Sequence, residues 1–444
     1  MNIVQITPGT GGIYCGNCIR DNALVAEWRR LGHSALMLPM YLPLKLDEAN
    51  AGAGMPIFFS GINVYLGQYG ALLRAKPPWL HRFLAQPWLL RLVGRFAVRT
   101  RPEQVGNLTV SMLQGEHGNQ SRELDELVGW LKTQPKPDVV CLSNILLLGL
   151  ARRLRQAVGS PVVCLLAGEE SFLDSLPGAQ RAEAWRILSG NTCDADLFIA
   201  PSRYFADRMA TRLRLRAERI RVVPLGVSQA GYGDADAPAA QNGSAPAMIG
   251  FFARMCREKG LDTLVEAFLL LKQRGRIPGL RLKIGGSCGP GDRPFVRELK
   301  ARLRVRGAAS SVEFHPNLSR AEKIAFLKSL SVFSVPAVYG EAFGLYLVEA
   351  LAAGVPIVQP RLAAFPEIVE ASGAGDLCEP GDPESLADTL ERLLLDPARR
   401  LALSRAARLA ARDQFSARRM AEQTVRTFSE VVGDNVQTAT PVAA

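Results

Sequence analysis

Short apolar runs alternate with amphipathic segments along most of this chain, and the alternation occurs twice. In the first half, apolar runs at 3–6, 138–142 and 197–200 are each followed by a segment with helical periodicity. In the second half, the pattern starts again with a strand predicted over Met248–Phe252 and continues to a helical stretch over Leu401–Val432. Strands that alternate with helices form parallel sheets with helices on both faces. We therefore predict an α/β protein with two doubly wound sheets.

A stretch of small and polar residues separates the two alternations. The chain has 444 residues, of which 48% are hydrophobic, so it can bury two or three cores and is neither disordered nor fibrous. We predict an N-terminal domain over 1–228, a linker over 229–247 and a C-terminal domain over 248–415. A helix over 416–433 could pack back on the N-terminal domain, and 434–444 is expected to be a flexible tail. Ligands of such sheets bind at the carboxyl ends of the strands, so we expect a site in a cleft between the domains.

The positive charge of the chain is concentrated in one segment. The net charge is +11, and residues 74–101 contain seven basic and no acidic side chains, with Trp79 and Trp88 among them. Such a segment fits an anionic membrane surface or the mouth of a lipid acceptor site, and it fits equally well an ordinary amphipathic helix. No RNA-binding aromatic signature or helix-turn-helix spacing is present, so nucleic acid is not an expected partner.

The sequence predicts a cytoplasmic protein. The first nine residues lack the basic and apolar regions of a secretory signal, and no apolar run approaches the ~18 residues of a spanning helix. Peripheral attachment to the inner face of the membrane remains an option because of the basic segment. The eight cysteines are expected to be reduced. Cys15 and Cys18 form a C-x-x-C pair between a strand and a helix, and whether they have a redox role stays open.

Two basic residues follow the first strand of the second half. Arg254 comes directly after the strand, and Lys259 precedes Gly260 where a helix begins. Two cations beside helix N–H groups suit a diphosphate. The alternative is a solvated basic loop. The sequence shows no cluster of metal ligands, so neither a metal nor another cofactor is expected.

Two glutamates flank a predicted helix start in the second half. Glu341 precedes Gly344, and Glu349 lies eight residues after Glu341. Together with the free N–H groups of Phe343 and Gly344, these carboxylates could hold a polyhydroxylated anion, since carboxylates accept hydrogen bonds from sugar hydroxyls. The alternative is a helix that is merely stabilised by an acidic flank.

Several segments are similar to one known family. The family 4 retaining glycosyltransferases, which have the GT-B fold, resemble this chain at 251–268 (FFARMCREKGLDTLVEAF), 282–286, 335–358 (VPAVYGEAFGLYLVEALAAGVPIV), 366–387, 201–213 and 219–227. The two glutamates also keep the spacing of that family. The resemblance implies two Rossmann-like domains that face each other across a cleft, and it covers 195–430 best.

The resemblance also implies roles for individual residues. It implies that Arg254 and Lys259 hold the diphosphate of a nucleotide-sugar donor and that Glu341 contacts the transferred sugar. The backbone of Phe343, Gly344 and Leu345 would contact the same sugar, and Glu349 would contact the nucleotide ribose. Gly11 and Gly12 would form the loop of the first domain that faces the donor.

Two departures from the family pattern concern the site. Ala167-Gly168-Glu169-Glu170 stands where many members have a histidine, so no catalytic histidine is assigned, and Glu169 and Glu170 become candidates for binding the acceptor or stabilising positive charge. Leu362-Ala363-Ala364-Phe365 stands where a double glycine is usual.

The sequence thus favours a metal-independent, retaining hexosyltransferase that uses a nucleotide-diphosphate-sugar donor. Its acceptor would be a lipid-linked sugar, a polysaccharide or a small molecule. The alternative within the same fold is a sugar-nucleotide epimerase or a phosphorylase. The alternative of another class is a non-catalytic basic protein that binds membrane or nucleic acid.

Overall fold

The computed structural model describes residues 1–9, 15–44, 46, 48–59, 102–233 and 246–438. Gly11, Gly12, the basic segment 74–101 and most of the predicted linker lie outside the described residues.

The first sheet has six parallel strands in the order β2-β1-β3-β4-β5-β6. Its strands are β1 (Asn2–Thr7), β2 (Ser34–Pro39), β3 (Val139–Leu142), β4 (Val162–Leu165), β5 (Leu197–Ala200) and β6 (Ile220–Val222). Val4 of β1 lies opposite Leu36 on one side and Val140 on the other. The apolar runs at 3–6, 138–142 and 197–200 predicted β1, β3 and β5. The edge strand β6 was not predicted, because it has three residues and none of them is buried.

Helices cover this sheet, and the first of them carries much of its core. The helices are α1 (Gly16–Arg30), α2 (Pro102–Leu113), α3 (Ser121–Leu131), α4 (Ala151–Val158), α5 (Glu170–Asp174), α6 (Gly178–Asn191) and α7 (Arg203–Leu213). Leu24, Val25 and Trp28 of α1 are fully buried, so one face of this helix packs into the core.

The second sheet also has six parallel strands, in the order β12-β11-β10-β7-β8-β9. Its strands are β7 (Met248–Phe252), β8 (Arg281–Gly286), β9 (Val312–Pro316), β10 (Val332–Phe333), β11 (Ile357–Pro360) and β12 (Gly375–Cys378). The prediction of two doubly wound parallel sheets is therefore confirmed.

The helices of the second half follow the same layout. They are α8 (Leu261–Arg274), α9 (Arg293–Val305), α10 (Arg320–Lys328), α11 (Leu345–Ala352), α12 (Phe365–Ser372), α13 (Pro383–Leu394), α14 (Pro397–Asp413) and α15 (Ala417–Thr438). Leu264, Phe268 and Leu271 of α8 are buried at helical spacing. Among the helices that the structure describes, none is long and apolar enough to span a bilayer.

The helical stretch predicted over Leu401–Val432 is interrupted between α14 and α15. The amide of Val227 donates to the carbonyl of Phe415 at 2.9 Å, and the amide of Ala417 donates to the carbonyl of Val227 at 2.9 Å. This pairing with a distant segment takes up backbone groups that a continuous helix would use. The second helix then runs to Thr438, which is beyond the predicted start of the tail at 434.

The chain divides into two compact units. The first unit comprises Met1–Val223 and Met420–Ala444, and the second comprises Pro224–Arg419. Within the first unit, the ring of Phe428 in α15 lies 5.5 Å from the ring of Trp28 in α1. Most of α15 therefore belongs to the core of the first unit.

Candidate functional site

A close backbone approach joins two loops at the carboxyl ends of strands in the second unit. Gly260 has φ +69°, and a Cβ atom at this position would lie 1.8 Å from the carbonyl oxygen of Pro336. Only glycine fits such a contact. The amide of Val338 also donates to the carbonyl of Glu258 at 3.1 Å. These contacts fix Lys259 against the segment that begins at Pro336.

Lys259 and Glu341 meet within this junction, although they are 82 residues apart in sequence. The ammonium group of Lys259 donates to the Glu341 carboxylate and, at 2.5 Å, to the hydroxyl of Tyr339. The hydroxyls of Tyr339 and Tyr346 each donate to Glu341 Oε2 at 2.9 Å. Lys259 Nζ lies 5.0 Å and 5.1 Å from the two ring centroids, a distance suited to cation–π attraction.

We call these four side chains the Lys259–Glu341 cluster. The charged pair is only 17% and 16% exposed, so solvent screens it weakly. Burial and the nearby Glu341 charge raise the pKa of Tyr346, which keeps its hydroxyl protonated as a donor. Sequence reasoning selected Lys259 and Glu341 but missed Tyr339 and Tyr346. Their positions could have indicated them, because one tyrosine lies two residues before Glu341 and the other lies five residues after it.

Arg254 follows β7 as predicted, but its guanidinium group is engaged in a separate ion pair. Its Nε and Nη2 atoms lie 3.0 Å and 2.8 Å from Asp292 Oδ1. The other oxygen of Asp292 accepts a hydrogen bond from the amide of Gly289 at 2.9 Å. Asp292 is 8% exposed and Arg254 is 62% exposed. The carboxylate therefore orients Arg254 while leaving much of its side chain in solvent, an orienting role for Asp292 that sequence reasoning missed.

The helix α11 begins directly after Gly344, which has φ +104°. A helix start leaves backbone N–H groups without partners inside the helix and carries a partial positive charge. Phe343, just before it, is buried, and its ring lies 6.2 Å from the ring of Phe415. This packing holds the backbone of Phe343, Gly344 and Leu345 in place, in the same segment as Glu341.

Glu349 lies in α11 and is paired with a lysine of the neighbouring helix. Its Oε1 atom is 2.6 Å from Nζ of Lys323 in α10, and both side chains are largely buried. The ion pair links the two helices. The position of Lys323 could not be recognised from the sequence, because nothing local relates it to Glu349.

One residue of the loop 362–365, where the resembled family usually has two glycines, has a left-handed backbone conformation. Ala363 has φ +54°, a conformation that favours glycine. The next amide, of Ala364, donates to the backbone carbonyl of Glu341 at 3.4 Å. The loop therefore keeps a glycine-like backbone despite its alanines, and it lies beside Glu341.

Of the two carboxylates predicted for the first unit, Glu169 is turned into the structure. Its Oε1 and Oε2 atoms accept hydrogen bonds from the amides of Ile145 at 3.1 Å and Ala167 at 2.8 Å. Burial raises the pKa of Glu169 to about 6, although these amides oppose the shift. Both oxygens are thus used to tie the loops that follow β3 and β4.

Glu170 is also buried but is less completely satisfied. Its Oε1 atom lies 3.4 Å from Nε of Arg208, and burial raises its pKa. Within the described part of the chain, Glu170 Oε2 is buried without a hydrogen-bond partner. The structure therefore distinguishes the two candidates. Both oxygens of Glu169 accept hydrogen bonds from backbone amides, whereas Oε2 of Glu170 accepts none within the described residues. The described ranges contain no group of three or more His, Cys, Asp or Glu side chains arranged to hold a metal ion.

Two family models match the chain, one in each half. The model of the glycosyl transferases group 1 matches residues 235–410, which include the Lys259–Glu341 cluster. The model of the glycosyl transferase 4-like domain matches residues 22–226, which include Glu169 and Glu170. The chain belongs to the glycosyltransferases. Gly11 and Gly12 precede the matched residues.

Relatives with assigned names agree with this membership. D-inositol 3-phosphate glycosyltransferase of Xylanimonas cellulosilytica is 32% identical over 229 residues, which are 49% of this chain and 53% of the relative. The protein of the same name from Salinispora arenicola is 32% identical over 258 residues, which are 55% of this chain and 56% of the relative. The glycosyltransferase chain thus spans about half the length of the curated relatives it matches.

Solved structures show the fold. The HepE protein of Anabaena, in complex with UDP, has a TM-score of 0.66 at 18% identity, covering 97% of this chain and 100% of that one. Sucrose-phosphate synthase of Thermosynechococcus elongatus has a TM-score of 0.68 at 17% identity, covering 98% and 99%. With its two six-stranded parallel sheets, this glycosyltransferase has the GT-B fold, as the sequence predicted.

Proposed function

We propose that this glycosyltransferase moves a hexose from a nucleotide-diphosphate sugar to an acceptor, with retention of the anomeric configuration. Three similarities support a nucleotide-sugar donor: the two family models, the relatives that act as D-inositol 3-phosphate glycosyltransferases, and the complexes of HepE with UDP and with UDP-glucose. The observation that carries the proposal is the Lys259–Glu341 cluster beside the start of α11.

Lys259 and the neighbouring helix start both suit the diphosphate of the donor. Lys259 supplies a positive charge for the diphosphate, and the N–H groups at Phe343, Gly344 and Leu345 add the partial positive charge of a helix start. When the bond from sugar to diphosphate breaks, negative charge grows on the leaving phosphate. Preorganised positive groups at that place lower the barrier, because they stabilise the transition state more than the ground state.

Donor binding changes the partners of Lys259. Without a donor, its ammonium group is held by Glu341 and Tyr339. A diphosphate carries more negative charge than one carboxylate and would draw Lys259 towards itself. Glu341 is then available to accept hydrogen bonds from sugar hydroxyls, with the two tyrosine hydroxyls still holding it in place.

Two further residues complete the donor side of the proposal. Arg254 is oriented by Asp292 and largely exposed, so its free N–H groups can reach a phosphate. Glu349, held by Lys323, is proposed to bind the nucleotide ribose, remote from the bond that breaks. Gly11 and Gly12 remain predicted to face the donor.

The acceptor is proposed to bind on the first unit. We propose that Glu170 contacts the acceptor, because its Oε2 atom is buried and has no hydrogen-bond partner among the described residues. Glu169 is not carried forward, since both its oxygens bind backbone amides. Retention is assigned to attack by the acceptor on the face from which the diphosphate leaves, which requires no nucleophile from the protein.

The basic segment 74–101 is proposed to contact the inner face of an anionic membrane and to bring the protein to a lipid-linked acceptor. The support is its seven basic and no acidic residues. Flotation with vesicles that contain anionic lipid tests this proposal. Binding should fall as salt rises and should be lost when Arg91, Arg95 and Arg99 are replaced by Glu. Unchanged flotation of that triple variant would contradict it.

The donor proposal is tested with radiolabelled UDP-, GDP- and ADP-sugars, with and without EDTA. We expect one donor to release its nucleoside diphosphate, and we expect the rate to survive chelation because Lys259 supplies the positive charge. Interconversion of the sugar without release would instead show an epimerase. Phosphate-dependent release of a sugar 1-phosphate would show a phosphorylase, and no reaction with any donor would favour a non-catalytic protein.

A further inference from the structure

Cys15 and Cys18 lie together at the start of α1, and the proposed transfer reaction gives neither thiol a role. Cys15 is the residue that precedes the helix, and Cys18 lies in its first turn. The amide of Ile19 donates to the carbonyl of Cys15 at 3.0 Å, so Cys15 closes the first turn of the helix. Across such a turn, residues three apart have Cα atoms about 5 Å apart, which is within the range of disulfides. The spacing therefore allows a bond between the two sulfurs with little movement of the backbone.

The two thiols differ in exposure and in ionisation. Cys15 is half-buried and Cys18 is fully buried. The thiol of Cys18 donates to the sulfur of Cys15, and this bond and the amides of Asn17 and Cys18 lower the pKa of Cys15 to about 6 against the effects of burial and Asp21. The same pairing and burial raise the pKa of Cys18. The hydrogen bond between the two sulfurs therefore favours the thiolate at Cys15 and the protonated thiol at Cys18.

Cys18 also contacts the end of β1. The hydroxyl of Thr7 approaches Cys18 Sγ at 4.0 Å, and the amide of Gly9 donates to the same sulfur. A bond to Cys15 would turn Cys18 Sγ away from these donors. Oxidation of the pair would therefore weaken the contacts that Cys18 makes at the end of β1.

We propose that Cys15 and Cys18 form a reversible dithiol–disulfide pair that is oxidised by hydroperoxides. The Cys15 thiolate attacks one oxygen of hydrogen peroxide, the O–O bond breaks, and the departing hydroxide takes a proton to become water. Cys15 is then a sulfenic acid. The Cys18 sulfur attacks it, the S–S bond forms, and the hydroxyl leaves as water with the proton of Cys18. In total, two thiols are oxidised and one peroxide is reduced to two waters. A dithiol reductant restores the thiols by exchange.

The test is peroxide treatment of the full-length protein, followed by alkylation, trypsin digestion and mass spectrometry. Arg20 is the first tryptic site, so residues 1–20 form one peptide that contains Cys15, Cys18 and no other cysteine. We expect this peptide to lose two hydrogens and both alkylation sites, and to regain both sites after dithiothreitol. Retention of both alkylation sites, or a sulfinic acid at Cys15 with Cys18 still alkylated, would overturn the proposal. The wild-type result needs no variant, so a folding defect cannot obscure it.

Variants separate the roles of the two sulfurs. In Cys18→Ala, dimedone should trap a sulfenic acid at Cys15, whereas in Cys15→Ser the Cys18 thiol should stay unmodified. Cys193→Ser is the matched control, because Cys193 is an exposed cysteine elsewhere in the unit, and it should leave disulfide formation unchanged. Faster oxidation of Cys18 than of Cys15 would overturn the assignment of the nucleophile. Hydrogen exchange at Gly9 should accelerate in the oxidised protein, and unchanged exchange would contradict the link to β1.

Discussion

Replacing Glu341 with Gln should lower turnover without weakening donor binding. The substitution keeps the size of the side chain and removes the negative charge that holds Lys259 in the Lys259–Glu341 cluster. Lys259 no longer has to leave a carboxylate when the diphosphate arrives. The donor KM should therefore stay unchanged or fall, although the group that contacts the reacting sugar has been altered.

The expected loss of turnover follows from the strength of one charge-assisted hydrogen bond. Such a bond contributes roughly 1.5–3 kcal/mol. At about 1.4 kcal/mol per factor of ten, this corresponds to a decrease in kcat of about 10-fold to 150-fold. An interaction that is made chiefly as the bond breaks appears in kcat rather than in KM.

Glu349→Gln should raise the donor KM and leave kcat unchanged, which is the opposite of the result expected for Glu341→Gln. Glu349 is proposed to hold the ribose, which is bound equally before and during the reaction, so its loss should raise the donor KM by about 10-fold to 150-fold and leave kcat near the wild-type value. The variant should also unfold more readily, by up to ~3 kcal/mol, because Lys323 loses a carboxylate partner in a largely buried pair.

Steady-state kinetics with the donor that the screen identifies, together with urea unfolding, distinguish these outcomes. Glu370→Gln is the matched control, since Glu370 is an exposed carboxylate of the same unit and should leave all three quantities unchanged. If both variants kept wild-type kcat and KM and changed only stability, the two glutamates would be structural and the site assignment would be refuted.

Three other perturbations have expected outcomes. Folding raises the pKa of Glu169 from 4.5 to about 6, so the contribution of Glu169 to stability is largest at low pH and falls by about 2 kcal/mol as the pH rises through that interval. The unfolding free energy of wild type minus that of Glu169→Gln should therefore be about 2 kcal/mol lower at pH 7 than at pH 4. Ala363→Gly should raise stability by about 0.5–1 kcal/mol, because relief of the left-handed strain exceeds the added entropy of the unfolded chain, whereas Ala364→Gly, at φ −79°, should lower it. Arg254→Met should raise the donor KM, and Asp292→Asn should raise it less, since that variant misorients the guanidinium without removing it.

The parts of the structure that the sequence predicted are those that depend on neighbouring residues. Met248–Phe252 was predicted with the bounds that the structure has, because a buried strand carries its own apolar pattern. The predicted domains divide the chain at 415/416, but the cause of the break between α14 and α15 was missed. The break arises from backbone pairing with Val227, which is almost 190 residues away in sequence.

The candidate site shows the same division. The spacing of Glu341 and Glu349 identified two residues of interest, but their partners come from other elements. Lys259 reaches Glu341 only because Gly260 lets two loops approach, and Lys323 meets Glu349 through helix packing. Glu169 and Glu170 are adjacent in sequence and could not be told apart until the structure showed which carboxylate the backbone amides occupy.

We propose above that the second unit binds the diphosphate of a nucleotide-sugar donor through Lys259. Calorimetric titration of the full-length protein with UDP, GDP and ADP in EDTA tests it directly. We expect one nucleotide to bind with a stoichiometry of one, and we expect Lys259→Met to weaken its affinity by roughly 10-fold to 150-fold while the fold is retained. Absence of binding for all three nucleotides, or equal affinity of wild type and Lys259→Met, would contradict it.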